Sequence, residues 1–189
     1  MDKSLTYVED LTPHLIQGKV LITPHSLNHN RAARNIFRLF DNYLDGKDSE
    51  VFSWGVTLFL TAMHRLLPDM MVVCDPGKVR EDGVHGAPDL IAEVLSPATI
   101  RIDRIQKTQL YGQCGVREYW IVDAGSKSVE VYLNENGRLH LQNVYVLYSD
   151  DAAAKMSEEQ RRREVVEFFQ SELFPNLTVS LRDIFKRIP

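Results

Sequence analysis

Two short apolar runs with a polar, helix-like stretch between them constrain this chain most. The first is Leu90-Ile91-Ala92-Glu93-Val94-Leu95 and the second is Tyr119-Trp120-Ile121-Val122. Both read as buried strands. Between them, Ser96-Pro97 has the form of an N-cap followed by proline at the first helical position, and Gly115 is a natural stop. A helix is therefore predicted from Pro97 to about Gln113. Strand, helix and strand in that order make a parallel pair joined by a right-handed crossover.

The rest of the chain supplies partners for that pair. A turn near Gln17-Gly18 leads into a strand at Lys19-Val20-Leu21-Ile22, which Pro24 breaks. Ser26 is placed to cap a helix running to about Leu44. Its apolar positions Ala32, Ala33, Ile36, Phe37, Leu39, Phe40 and Tyr43 recur at helical spacing, and Asp45-Gly46 ends it. Apolar runs follow at Val51 to Leu60 and at Pro68 to Cys74. The second reads as a strand bounded by Asp75-Pro76-Gly77, with Asp75 to Gly86 as a hairpin loop. Val129 to Leu133 and Leu139 to Leu147 form a hairpin around Asn134-Glu135-Asn136-Gly137. Ser157-Glu158-Glu159-Gln160 is a capping-box pattern, predicting a helix to about Leu173. The expected architecture is α+β, a central mixed β-sheet flanked by helices, with residues 1–189 as one domain.

Bulk properties exclude some functions. A formal net charge of -4 argues against a strongly basic nucleic-acid coat protein, yet permits a local basic groove beside an acidic site. Cys74 and Cys114 make neither a disulfide framework nor a zinc-ligand spacing, which fits a reducing compartment. No secretory apolar segment opens the chain and no run is long enough to span a bilayer, so a cytoplasmic setting is expected.

Glu93 is the anomaly within this plan, because a charge in an apolar strand is costly without a partner. Hairpin register supplies one. If the loop at 76–87 closes an antiparallel pair, residues near 69 fall opposite residues near 93 and share a face of the sheet. Asp69 and Glu93 then repel unless a cation lies between them, and hard oxygen donors suit Mg²⁺ or Mn²⁺. Asp75 and Asp89 fall at the loop end, roughly 13–20 Å away, so Asp89 is a second-tier candidate. Lys107 lies on the following helix, where an ammonium near a metal-bound phosphate can stabilise developing charge or help to orient a water. Asp103, one turn earlier, is placed to hold it.

The segment HGAPDLIAEVLSPATIRIDRIQKTQLYGQCGVREYWIVD resembles the signature of the Uma-two family of restriction-endonuclease-like proteins, within the PD-(D/E)XK nuclease superfamily. The likeness is strongest from Pro68 to about Asp123, with echoes at Asn28-His29 and Leu173-Phe174-Pro175. It implies a nuclease fold, a metal held by Asp69 and Glu93, and a DNA substrate. The lysine expected two residues after Glu93 is Leu95 here, and Lys107 stands in for it. A homodimer would suit cleavage of both strands by analogy.

Plainer readings stand beside these. Glu93 would serve as a structural acid if paired with Arg101 or Arg104, Asp69 as a cap after Pro68, and Asp89 as a turn residue. Lys107 would be only the i,i+4 partner of Asp103. His29 suits a local hydrogen bond at the helix start, with site lining as a second role. Tyr111 and Trp120 read as core packing, and Arg161-Arg162-Arg163 as a solvated helix face. Arg101 and Arg104 are the better candidates for phosphate contact. The leading expectation is a metal-dependent endonuclease. The alternative is an inactive nuclease-like module that binds nucleic acid or self-associates.

Overall fold

The computed structural model describes residues 26–189 and, before them, the backbone of two short strands, β1 (His14–Ile16) and β2 (Lys19–Leu21). The expected strand at Lys19 is β2, antiparallel to β1. The expected turn at Gln17-Gly18 and the break at Pro24 lie outside the described residues.

Helix α1 (Leu27–Leu44) starts where the Ser26 hydroxyl accepts the His29 N–H at 3.1 Å. Ala32, Ile36, Phe40 and Leu44 form its buried stripe. The apolar run from Val51 to Leu60 divides into β3 (Glu50–Ser53) and β4 (Leu58–Thr61), because Gly55 turns the chain at φ 105° and sends the two strands to different sheets. β5 (His64–Leu66) returns beside β4, and β6 (Met70–Val73) follows.

The stretch 75–86 is more structured than the loop its composition predicts. It holds a 3₁₀ turn (Pro76–Lys78), β7 (Val79–Arg80) and β8 (Gly83–His85), and β8 lies parallel to β4. Buried Val84 supplies the apolar anchor. Gly83 sits at φ 140°, and a Cβ there would stand 2.2 Å from the Thr57 carbonyl oxygen, so a side chain is excluded.

β9 (Leu90–Val94) carries Glu93. The following helix begins later than Ser96-Pro97 predicts. The Ser96 hydroxyl bonds the Thr99 hydroxyl at 2.9 Å, residues 97–99 form a turn, and helical backbone starts at Ile100. A π-helical segment (Ile102–Lys107) then runs into α2 (Thr108–Cys114), which Gly115 ends at φ 95°. β10 (Glu118–Asp123) returns parallel to β9, and β11 (Ser128–Glu135) with β12 (Arg138–Val146) forms the predicted hairpin.

Helices α3 (Asp150–Ala154) and α4 (Glu158–Glu164) come next. The capping box opens α4 as expected, but the helix stops at Glu164 rather than near Leu173. Beyond it, Phe168 faces solvent and Phe169 is buried, an alternation that suits a strand. β13 (Phe168–Gln170) accordingly pairs with β14 (Thr178–Ser180), before α5 (Leu181–Ile184).

The central sheet has the order β12-β11-β10-β9-β6-β3, with β9 and β10 parallel and the other neighbours antiparallel. One face, with Met70, Val72, Leu90, Ala92, Trp120 and Val122, packs on α1 and the C-terminal elements. The other, with Met71, Val73, Ile91, Tyr119 and Ile121, packs on Tyr111 and on Leu58, Leu60, Leu66 and Val84 of a second sheet. That second sheet has the order β2-β1-β5-β4-β8-β7. Buried Glu118 ties the C-terminal segment to the sheet by accepting the Trp120 indole N–H (2.7 Å), the Ser171 hydroxyl (2.8 Å) and the Leu173 N–H (3.1 Å).

Candidate functional site

The register between β6 and β9 pairs Met70 with Ala92 and Val72 with Leu90, so one further step sets Asp69 opposite Glu93. Asp69 lies just before β6, and its Oδ2 accepts the Val94 N–H at 2.8 Å. Its Oδ1 lies 2.9 Å from Nε2 of His29, in the first turn of α1. Glu93 is held from the other side. Its Oε1 lies 2.9 Å from the Lys107 ammonium and accepts the Tyr111 hydroxyl at 2.7 Å. Lys107 also reaches Asp103 at 2.9 Å.

Spacing explains why one helical stretch supplies all three of these groups. Asp103, Lys107 and Tyr111 are four apart and present one stripe to the sheet. The π-helical segment is anchored where it widens. The Asp103 carbonyl accepts the Thr108 hydroxyl at 2.9 Å and the Tyr119 hydroxyl of β10 at 3.2 Å. Such widened turns recur at functional sites. His29, Asp69, Glu93, Asp103 and Lys107 are all buried.

Burial sets the electrostatics. It drives Glu93 up to about 7; the Lys107 ammonium opposes this, while Asp69 and Asp103 reinforce it. Two carboxylates and desolvation thus outweigh a single close ammonium. Burial alone would lower Lys107, but Glu93 and Asp103 raise it above its ordinary value, so it stays charged. Burial likewise opposes ionisation of Asp69, yet His29, the Val94 N–H and Lys107 bring it below the usual aspartate range. For His29, burial is outweighed by Asp69, Glu93 and Asp103, and its value is raised.

Other sequence candidates stand elsewhere. Asp89 accepts the Cys74 N–H at 2.8 Å and meets Arg117 at 3.3 Å at the base of the connection between β6 and β9. It is four residues from Glu93 along the strand, roughly 13 Å. Arg104 pairs with Glu130 rather than with Glu93, and Arg101 is exposed. The plainer reading of Glu93 as an arginine partner is thereby replaced by a lysine and a tyrosine. Tyr111 is buried as expected, but it also binds the carboxylate, a role its reading as packing missed. The four-residue spacing to Lys107 was the available signal. Arg161, Arg162 and Arg163 are solvated.

Among the described residues, no group of three or more His, Cys, Asp or Glu side chains forms a ready metal cage. Mg²⁺ needs no such cage, since it is commonly held by one or two carboxylates plus water and phosphate oxygens. The hard oxygens of Asp69 and Glu93 suit it. Charge also suits it, because among the described residues the buried carboxylates of Asp69, Glu93 and Asp103 face Lys107 and His29.

A family model described as "Uma2: Putative restriction endonuclease" matches residues 7–174. The chain belongs to the Uma2 family. Two relatives from Synechocystis sp., the uncharacterized proteins slr1290 and sll1609, are each 31% identical to this Uma2 chain. The matches cover 59% of the chain and 60% of slr1290, and 62% of the chain and 69% of sll1609. A crystal structure from Anabaena variabilis, described as "a putative nuclease belonging to DUF820", superposes with a TM-score of 0.66. That likeness covers 93% of this chain and 90% of the other at 18% identity, and it establishes the shared α+β fold. Among the described residues, no helix is long and apolar enough to cross a membrane.

Proposed function

We propose that this Uma2 chain is a Mg²⁺- or Mn²⁺-dependent endonuclease that hydrolyses DNA phosphodiester bonds, with residues 1–189 acting as one nuclease-like domain. The observation that carries the reading is the opposition of Asp69 and Glu93 across two strands, with the Lys107 ammonium 2.9 Å from Glu93. Asp69 and Glu93 hold the metal. When bound, the ion supplies Lewis acidity toward the phosphodiester. His29 and the Val94 N–H fix the Asp69 carboxylate, and Tyr111 fixes Oε1 of Glu93. Lys107 keeps a positive charge beside the reacting phosphate and stabilises the negative charge that builds there, while Asp103 holds the ammonium in place. A lysine raised above its ordinary value is an electrostatic group and not a proton acceptor. Arg101 and Arg104 contribute to phosphate binding along the flanking backbone.

Nicking of supercoiled plasmid in Mg²⁺ or Mn²⁺ tests this. Asp69→Asn and Glu93→Ala abolish nicking if the assignment holds, and unchanged cleavage overturns it. One observation favours a second reading. Lys107 bridges Glu93 and Asp103, so part of the acidic charge is already balanced internally. In that reading the chain is a nuclease-like module that binds nucleic acid or self-associates without cutting. A metal titration separates the two, because the inactive module gains no thermal stability from Mg²⁺ or Mn²⁺.

A further inference from the structure

The sheet row that carries the acid pair runs on past Glu93. Ile121 of β10 is the partner of Glu93 on one side and of Glu130 on the other. Directly paired residues share a face, so Glu93 and Glu130 stand on the same side of the sheet, two strand spacings or about 10 Å apart. The helical stretch over that face brings one cation to each. Lys107 meets Glu93 at 2.9 Å, and Arg104, three residues earlier, donates to Glu130 through Nε (3.0 Å) and Nη2. The two pairs differ in how closed they are. Only 6% of the Lys107 side chain is exposed, against 37% of Arg104.

Both Arg104 bonds end on Oε1 of Glu130, while Oε2 accepts the Tyr132 hydroxyl at 2.7 Å. The Tyr132 ring packs on Tyr119 with centroids 6.0 Å apart, and the Tyr119 hydroxyl donates to the Asp103 carbonyl. The carboxylate is thus pinned from behind and occupies one edge of the guanidinium. The opposite edge, formed by Nη1 and Nη2, has no partner among the described residues. Its parallel N–H groups form a fork that matches two oxygens of a phosphate.

Resting on the nuclease reading above, we propose that Arg104 is a subsite for a DNA phosphate beside the scissile one, and that Glu130 and Tyr132 are the positioning residues that aim it. Because the guanidinium is already paired, its contribution is one of direction and not of net charge. A fork fixed beforehand gives up little side-chain freedom when the phosphate arrives.

This assignment reverses the sign that charge alone predicts. Removing the Glu130 carboxylate takes a negative charge from the path of the phosphate, which on charge alone tightens DNA binding. If Glu130 aims Arg104, its removal weakens binding instead. The test uses the full chain and a labelled DNA duplex, with anisotropy in Ca²⁺ for affinity and steady-state cleavage in Mg²⁺ for kcat and KM. Arg104→Lys keeps the charge but loses the fork, and should weaken binding by about 10- to 100-fold. Glu130→Ala should weaken it by about 3- to 10-fold, and Tyr132→Phe by about 3-fold. Glu130→Gln retains an oxygen for the guanidinium and should keep most of the affinity. The losses should appear in KM, with kcat held. Thermal unfolding shows whether Glu130→Ala is folded; if it is not, Tyr132→Phe, which leaves every charge in place, decides by the same criterion. Equal or tighter binding by the deciding variant overturns the positioning role, and wild-type affinity in Arg104→Lys overturns the subsite. Either result leaves the nuclease reading standing. If the wild type neither binds nor cuts DNA, both fall together.

Discussion

The raised Glu93 carboxyl makes a direct prediction for Glu93→Gln in the metal-free chain. An ordinary glutamate near 4.5 and a folded-state value of about 7 differ by about 2.5 pH units. At ~1.36 kcal/mol per unit, this amounts to about 3 kcal/mol. The direction follows from proton binding. Between pH 4.5 and 7 the folded chain holds a proton on Glu93 that the unfolded chain has released, so native stability falls as pH rises through this window and levels off above it. Glutamine matches the shape of the protonated acid, can still accept the Tyr111 hydroxyl, and does not titrate.

Urea unfolding in EDTA, followed by the emission of buried Trp120, measures this. Wild type and Glu93→Gln should be similar in stability at pH 5. By pH 8 the variant should have gained about 2.5 kcal/mol on the wild type, most of it below pH 7.5. Asp69 and His29 titrate in both proteins but also sense the Glu93 charge, so the difference reads Glu93 together with its coupling to them. Parallel profiles would refute the argument. So would a shift in favour of the wild type, since that would mean the Lys107 ion pair outweighs burial and the two neighbouring acids.

Three more outcomes follow from the same geometry. Lys107→Met leaves Glu93 and Asp103 buried without their ammonium and should cost about 3–5 kcal/mol at pH 8, less at pH 5 where Glu93 is protonated; urea titration at both pH values reads this. The His29–Asp69 pair should contribute fully between the ordinary aspartate and histidine values of 3.8 and 6.5. That stability is lost as pH falls through the lowered Asp69 value and again as pH rises through the raised His29 value, so His29→Gln should flatten both limbs of a thermal pH profile. Glu118→Ala strands three donors, the Trp120 indole, the Ser171 hydroxyl and the Leu173 N–H, and should cost about 3 kcal/mol while exposing the segment around 165–175 to limited proteolysis.

The parts of this chain that could be read early are those governed by local rules. Ser26 and the Ser157 capping box announce helix starts, and the Asn134–Gly137 turn fixes its hairpin. The opposition of Asp69 and Glu93 was accessible for a related reason. Register depends on the pairing of β6 with β9, and whatever the connection builds leaves and returns at the same point. The content of that connection was hidden because β7 and β8 are stabilised by β4, from a distant part of the sequence. The end of α4 was hidden too. A capping box says where a helix begins, while Phe169 stacking on Tyr145 at 4.3 Å decides where it must stop. Ser96 had the composition of a cap, but its hydroxyl went to Thr99. Tyr111 looked like packing because an apolar ring and a hydroxyl that reaches a buried acid carry the same letter.

The charge balance of the site bears on why these residues are present at all. A buried ion network is a poor way to hold a fold, since well-packed apolar groups of similar volume are often as stable or more so. Among the described residues, Asp69, Glu93 and Asp103 lie around Lys107, with His29 against Asp69. Two donors, His29 and a backbone N–H, secure Asp69, and two more, Lys107 and Tyr111, converge on a single oxygen of Glu93. Burial, reinforced by Asp69 and Asp103 against the Lys107 ammonium, holds the Glu93 carboxyl up to about 7. A divalent cation between Asp69 and Glu93 would offset the mutual repulsion of that pair. Asp103, on the helix side, already has its cation in Lys107.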